Sequence, residues 1–227
     1  MINNKTVTAI ILVAGNSTRY GQNRNKNFEL LNEDMVVCYS LKAFNNNEYI
    51  DNIFIVIKED EKEIVQKLVK EQKLENKVSI VIGGKTRQQS VYNAIIKTDS
   101  DIVIIHDGAR PAIKQRYISE CIESMEYVKG ATIGVKTKDT IKIADNNNIV
   151  ITTTPRQNTW IIQTPQCFDR TVLLDMHKKY ENEECTDDCM LLEKSNEKVK
   201  VIEGDYTNIK ITTYEDIKIL SELMKEN

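Results

Sequence analysis

Cations, glycines and small polar residues recur in this chain where buried strands end. The first such place follows Val7 to Ala14, an apolar, β-branched run that breaks at Gly15. Asn16, Ser17 and Thr18 come next, then Arg19, Gly21, Arg24 and Lys26. A buried strand ending in Gly, small polar residues and cations is how an α/β protein presents a phosphate site. Gly15 and Gly21 permit backbone angles and close approaches that a side chain forbids. Arg19 and Lys26 put positive charge where phosphates would lie. Two familiar phosphate loops are excluded. The dinucleotide fingerprint needs Gly two residues after the first, where this chain has Ser17. The Walker loop needs Gly at the position of Tyr20, and Lys in place of Gln22 after Gly21.

Two further polar signatures follow strand-like runs. Val78 to Ile82 ends at Gly83-Gly84, with Lys85, Thr86, Arg87 and Ser90 beyond it. Asp101 to Ile105 ends at His106-Asp107-Gly108-Ala109-Arg110-Pro111. Asp107 and Arg110 are candidate site residues, whereas His106 reads as a packed residue at a strand end.

The elements that must position these residues alternate. Helical spacing runs from Met35 to Phe44, Glu59 to Gln72, Arg87 to Lys97 and Lys114 to Val128. Strand patterns cover Asn52–Ile57 and Ala131–Val135 as well. This alternation predicts a mostly parallel, twisted sheet with right-handed crossovers, in an α/β, Rossmann-like nucleotide-binding domain. In such sheets ligands gather beyond the carboxyl ends of the strands, where all three signatures fall. From Thr137 the pattern changes. Asp139 to Ile143 and Ile149 to Thr153 read as a β-hairpin, an arm without a core of its own, which suggests a partner subunit. Gln163 to Phe168 returns to the body, and Asp169 opens a helix to Lys179 that carries His177 on its surface. Thr186 is a candidate N-cap. Lys198–Ile202 and Asn208–Ile211 are strand-like, and Tyr214–Lys225 closes the chain as a helix.

The 227 residues suffice for one large α/β domain with an ample core. Hydrophobic content of 41% with 29% charged residues is globular. A net charge of −3 argues against a protein that coats nucleic acid, yet allows a local site for small anions. The five cysteines form no Cys-x-x-Cys pair, so reduced thiols are expected and zinc is not. No leader or membrane-length apolar run is read, so a cytoplasmic location is expected.

These segments together resemble the 2-C-methyl-D-erythritol 4-phosphate cytidylyltransferase family over almost the whole chain. The likeness rests on Leu12–Lys26, Gly83–Val91, His106–Pro111, Asp139-Thr140, Gln163–Gln166, Thr186-Asp187 and Gly204–Thr212, in family order. It implies attack of a sugar phosphate on the α-phosphorus of CTP, with Mg²⁺ or another divalent cation on the triphosphate. It implies Arg19, Lys26 and Lys210 as catalytic cations, and Ala14, Gly15, Gly84, Lys85, Ser90, Asp107 and Arg110 around the nucleotide, Asp107 also as a metal ligand. It implies Thr140, Arg156 and Thr186 around the sugar phosphate, the first two reaching across a homodimer from an arm at about 137–160. Arg87 could serve phosphate or structure. Two departures stand out: Asn25-Lys26-Asn27 where the family has Pro-Lys-Gln, and Pro155-Arg156 where it has Asp-Arg. The second leaves another acceptor, such as ribitol 5-phosphate, as an alternative. A catalytically silent nucleotide-binding module is a remoter one.

Overall fold

A computed structural model describes residues 4–15, 20 and 25–225. Among them, seven strands form one sheet: β1 (Val7–Leu12), β4 (Asn52–Ile57), β5 (Val78–Ile82), β6 (Ile102–Asp107), β7 (Gly130–Lys136), β10 (Trp160–Asp169) and β11 (Val199–Glu203). Their order is β11-β7-β10-β6-β1-β4-β5. β1 pairs in parallel with β4 and β6, β4 with β5, and β7 with β11. The short pairs β2 (Leu30–Leu31) with β3 (Asp34–Met35), and β8 (Lys142–Ala144) with β9 (Val150–Thr153), stand outside it.

Strand alternation sets the layers. Val7, Ala9, Ile11 and Val13 face a core closed by α1 (Val36–Asn45), α2 (Lys62–Glu71) and α4 (Gln115–Glu123). Ile10 faces the opposite core, closed by α3 (Arg87–Ile95), α5 (Arg170–Lys179) and α6 (Cys189–Glu193). α7 (Tyr214–Leu223) packs with Tyr20, Leu31, Ala109 and Ile211 in a third cluster.

Three expectations are corrected. β10 is antiparallel to both β6 and β7, in the middle of the sheet, where the sequence shows only a returning segment. Pro165 hides it, because proline cannot donate to a ladder; the register shifts between Ile162 and Gln166, so Pro165 stands out of regular pairing. Asn208–Ile211 is not a strand. Its apolar members are buried by α7 instead: Ile211 is fully covered, and its amide donates to Ala109 O at 2.8 Å. His177 is not on the surface. It is 2% exposed, beneath the start of α6. The hairpin arm is present as β8–β9, with Ile143, Ile149, Val150 and Ile151 exposed on it.

Candidate active site

The register Leu12↔Val56 and Leu12↔Asp107 brings the carboxyl ends of β4, β1 and β6 level. Above them lies a cavity of about 620 Å³ lined by Ala14, Gly15, Lys26, Gly84, Lys85, Ser90, Asp107 and Lys210, among others. A second, of about 500 Å³, is lined by Arg110, Gln163, Thr164, Gln166, Thr186 and Asp187, among others. Arg87, Asp107 and Lys210 line both. Each volume suits a small ligand.

Local bonds fix the first loop. The amides of Val13 and Ala14 both donate to Val56 O, at 2.8 and 3.0 Å. Val13 O accepts from the side-chain amides of Asn25 and Asn27 at 2.8 and 3.3 Å. Asn25 also donates to Glu61 at 2.7 Å and caps the 3₁₀ turn Lys26–Phe28. The two asparagines therefore order the backbone on either side of Lys26. Arg19 and Gly21 lie outside the described residues. Among the described residues, no atom stands within 4 Å of where a Cβ on Gly15 would sit.

The second loop is tied to α3. Gly84 N–H donates to Ser90 Oγ at 3.0 Å, and that hydroxyl donates to Thr86 O at 2.9 Å. Thr86 Oγ1 caps the helix by accepting from Gln89 N–H at 3.1 Å. A Cβ on Gly83 would sit 2.8 Å from Ala14 Cβ and 2.9 Å from Ser90 Oγ, so the close fit between the two loops requires glycine.

Asp107 ends β6 with its carboxylate among three cations. Lys210 Nζ is 2.7 Å away, Arg87 Nε 3.8 Å and Arg110 Nε 3.8 Å. Burial works to raise this carboxyl, but Lys210, Arg87 and Arg110 outweigh it and hold it well below the usual range. Arg110 is lowered by its own burial, only partly offset by Asp107. Next to them, Thr164 Oγ1 accepts from Asp107 N–H at 3.1 Å, leaving its proton for His106 Nδ1 at 3.0 Å. His106 Nε2–H then donates to Arg110 O at 3.1 Å. Burial first, then the cations Arg110 and Lys210, push His106 down to about 4, against the opposing pull of Asp107. A neutral His106 thus pins the turn that carries Asp107 and Arg110.

Lys210 has no strand to hold it. Before it, Asn208 donates to Thr164 O at 3.0 Å; after it, Ile211 is anchored to Ala109, and Asp216 accepts from the amides of Thr212 and Thr213 at 2.7 and 2.8 Å. Thr186 is not an N-cap. Asp188 holds that position, and the Asp187 carboxylate accepts from Met190 N–H at 3.1 Å. Thr140 and Arg156 line neither cavity; they meet on the arm, Arg156 Nη2 donating to Thr140 Oγ1 at 2.9 Å. Lys58 and Thr212 line the larger cavity and were not singled out. Lys58 directly follows β4, so the carboxyl-end rule that found the other loops would have found it too.

No group of three His, Cys, Asp or Glu that could hold a metal ion occurs among the described residues. Asp107 is the one carboxylate among the residues lining the larger cavity. One carboxylate suits Mg²⁺ that keeps its waters and is otherwise held by substrate phosphates. Among the described residues no helix is long and apolar enough to cross a membrane.

The family model described as 2-C-methyl-D-erythritol 4-phosphate cytidylyltransferase matches residues 7–226. A protein of that name from Caldanaerobacter subterraneus subsp. tengcongensis is 44% identical over 222 residues, covering 96% of this chain and 97% of its own. One from Clostridium beijerinckii is 42% identical, covering 97% and 99%. Among solved structures, the 4-diphosphocytidyl-2C-methyl-D-erythritol synthase of Anaerococcus prevotii superposes with a TM-score of 0.88 at 32% identity, covering 97% of this chain and 99% of that one.

Proposed function

The chain belongs to the 2-C-methyl-D-erythritol 4-phosphate cytidylyltransferase family and joins CTP to that sugar phosphate in isoprenoid biosynthesis; we propose that its two cavities divide the substrates between them and that their common wall carries the transfer. The observation behind this reading is that Arg87, Asp107 and Lys210 face both spaces. CTP takes the larger cavity. Its base lies toward Gly84, Lys85 and Ser90, and its triphosphate over Ala14, Gly15, Arg19 and Lys26. The sugar phosphate takes the smaller cavity beside Arg110 and Thr186.

The attacking phosphate oxygen is already an anion, so no general base is required. It adds to the α-phosphorus in line with the departing oxygen; the P–O bond to pyrophosphate breaks, and pyrophosphate leaves with the electron pair. The obstacle is charge, since two polyanions must meet. Lys210 at the shared wall, with Lys26 and Arg19 along the triphosphate, neutralises them and stabilises the transition state. Mg²⁺ on the triphosphate oxygens, with Asp107 as the side chain to hold it, would supply further neutralisation.

We read the chain as one nucleotidyltransferase domain with the arm inserted at about 137–160. In a homodimer the arm brings Thr140 and Arg156 to a partner's acceptor cavity, where Arg156 clamps the sugar's phosphate. The exposed isoleucines of β8, β9 and their flanks support this assembly. The five free thiols support a cytoplasmic location.

Pyrophosphate release tests the reading. With CTP, turnover is expected on 2-C-methyl-D-erythritol 4-phosphate and not on ribitol 5-phosphate. Turnover on ribitol 5-phosphate alone would overturn the acceptor assignment.

A further inference from the structure

Behind the shared wall lies a buried charge chain that the transfer reaction as described does not use. Arg87 Nη1 donates to Asp188 Oδ2 at 2.6 Å, while Arg87 Nε is 3.8 Å from Asp107. Asp188 Oδ1 is in turn 3.2 Å from His177 Nε2. The side chains of Asp188 and His177 are 2% and 1% exposed, that of Arg87 30%. Burial disfavours the Arg87 charge, yet Asp188 and Asp107 more than offset it and hold the guanidinium above its ordinary value. Burial likewise works to raise Asp188, and Arg87 and His177 together lower it. The three residues come from different elements: Arg87 opens α3, Asp188 precedes α6 and His177 lies on α5.

The cations around Asp107 are therefore not equivalent. Lys210 is held to that carboxylate by one contact at the end of a flexible side chain. Arg87 is gripped from behind by a carboxylate that is itself buried, with the His177 ring 3.2 Å away. When anionic substrates arrive, Lys210 can turn toward phosphate, whereas Arg87 cannot follow without leaving the buried Asp188 with His177 alone beside it, which is costly.

We propose that Asp188 and His177 are positioning residues of the transfer reaction, locking Arg87 against Asp107 so that the carboxylate stays in place when Lys210 moves to the phosphates. This inference rests on the placement of the transfer at the shared wall. It assigns a use to Arg87, which faces both cavities, and to His177, which faces neither.

Asp188→Asn keeps size and polarity but removes the charge that grips Arg87. In the full-length protein, kcat for pyrophosphate release is expected to fall about 10–100-fold. KM for CTP and for the sugar phosphate should stay within about twofold, and Asp188→Glu should recover part of the loss. In an Arg87→Met background, Asp188→Asn should cost nothing further, because it acts through Arg87. A purely structural role would lower the melting temperature and add to the Arg87→Met loss. Undiminished kcat in folded Asp188→Asn, or additive losses, would overturn the proposal. If Asp188→Asn does not fold, His177→Gln carries the same comparison, with a smaller kcat loss expected only when Arg87 is present. Lys210→Ala run alongside separates two failures. Full turnover without Lys210 overturns the shared-wall reading and the proposal with it. A dead Lys210→Ala beside a fully active Asp188→Asn overturns the positioning role alone.

Discussion

His106 is satisfied at both ring nitrogens, by Thr164 and by the Arg110 carbonyl, and is fully buried. This arrangement accepts the neutral ring only, since Thr164 donates to Nδ1 while accepting from the Asp107 amide. The folded pKa of about 4 lies below the ordinary 6.5. Between those values the unfolded chain binds a proton that the folded chain refuses, so stability rises with pH across the window and is lost as acid is added. From pH 7 to pH 5 the expected loss from this group is about 2 kcal/mol. Urea titrations at the two pH values check it, and His106→Gln should show a smaller pH dependence by that amount. Residue type pointed to Lys26, a cation after a strand end; it did not point to Lys210, which came with the family resemblance. Nor did it reveal His177. A histidine on an amphipathic helix reads as solvated, and it takes groups from outside that helix, Asp188 and the Tyr92 ring among them, to cover it.

The segment from Asn208 to Thr213 carries Lys210 without regular structure, so side-chain bonds take the place of a ladder. Asp216 gathers three donors at once: the amides of Thr212 and Thr213 and the Thr212 hydroxyl at 2.8 Å. Asp216→Ala should cost about 1–2 kcal/mol, the usual worth of a lost helix cap, seen as a melting temperature lower by several degrees. It should also lower kcat through Lys210 while KM for CTP changes little, and an unchanged kcat would show that Asn208 and Ile211 hold the lysine without it. Elements with strong periodicity, such as β1 and α3, were legible because burial on one or both faces writes itself into the residue order. β10 was not, because its pairing is broken around Pro165. Asn208–Ile211 misled for the opposite reason: apolar alternation there serves packing under α7 and no sheet.

The arm is small for the apolar surface it exposes. Ile143, Val150 and Ile151 stand on two short strands that have no core beneath them, and Ile149 directly precedes the second. Ile143→Asp with Ile151→Asp should leave the body folded and shift sedimentation from dimer to monomer. The apparent KM for the sugar phosphate should then rise far more than that for CTP; a dimer with unaltered constants would refute the assembly. The sequence made the arm visible, since a hairpin with turn asparagines interrupts an alternating α/β pattern, but not its root. That root is β10, a single strand that begins at Trp160 beside the arm and continues through Ile162, Gln163, Thr164 and Gln166 on the wall of the smaller cavity. A substitution on this strand that reshapes the cavity wall also alters the strand from which the arm extends. On the proposed reading, redesign of substrate preference and redesign of quaternary structure are edits to the same few peptide units.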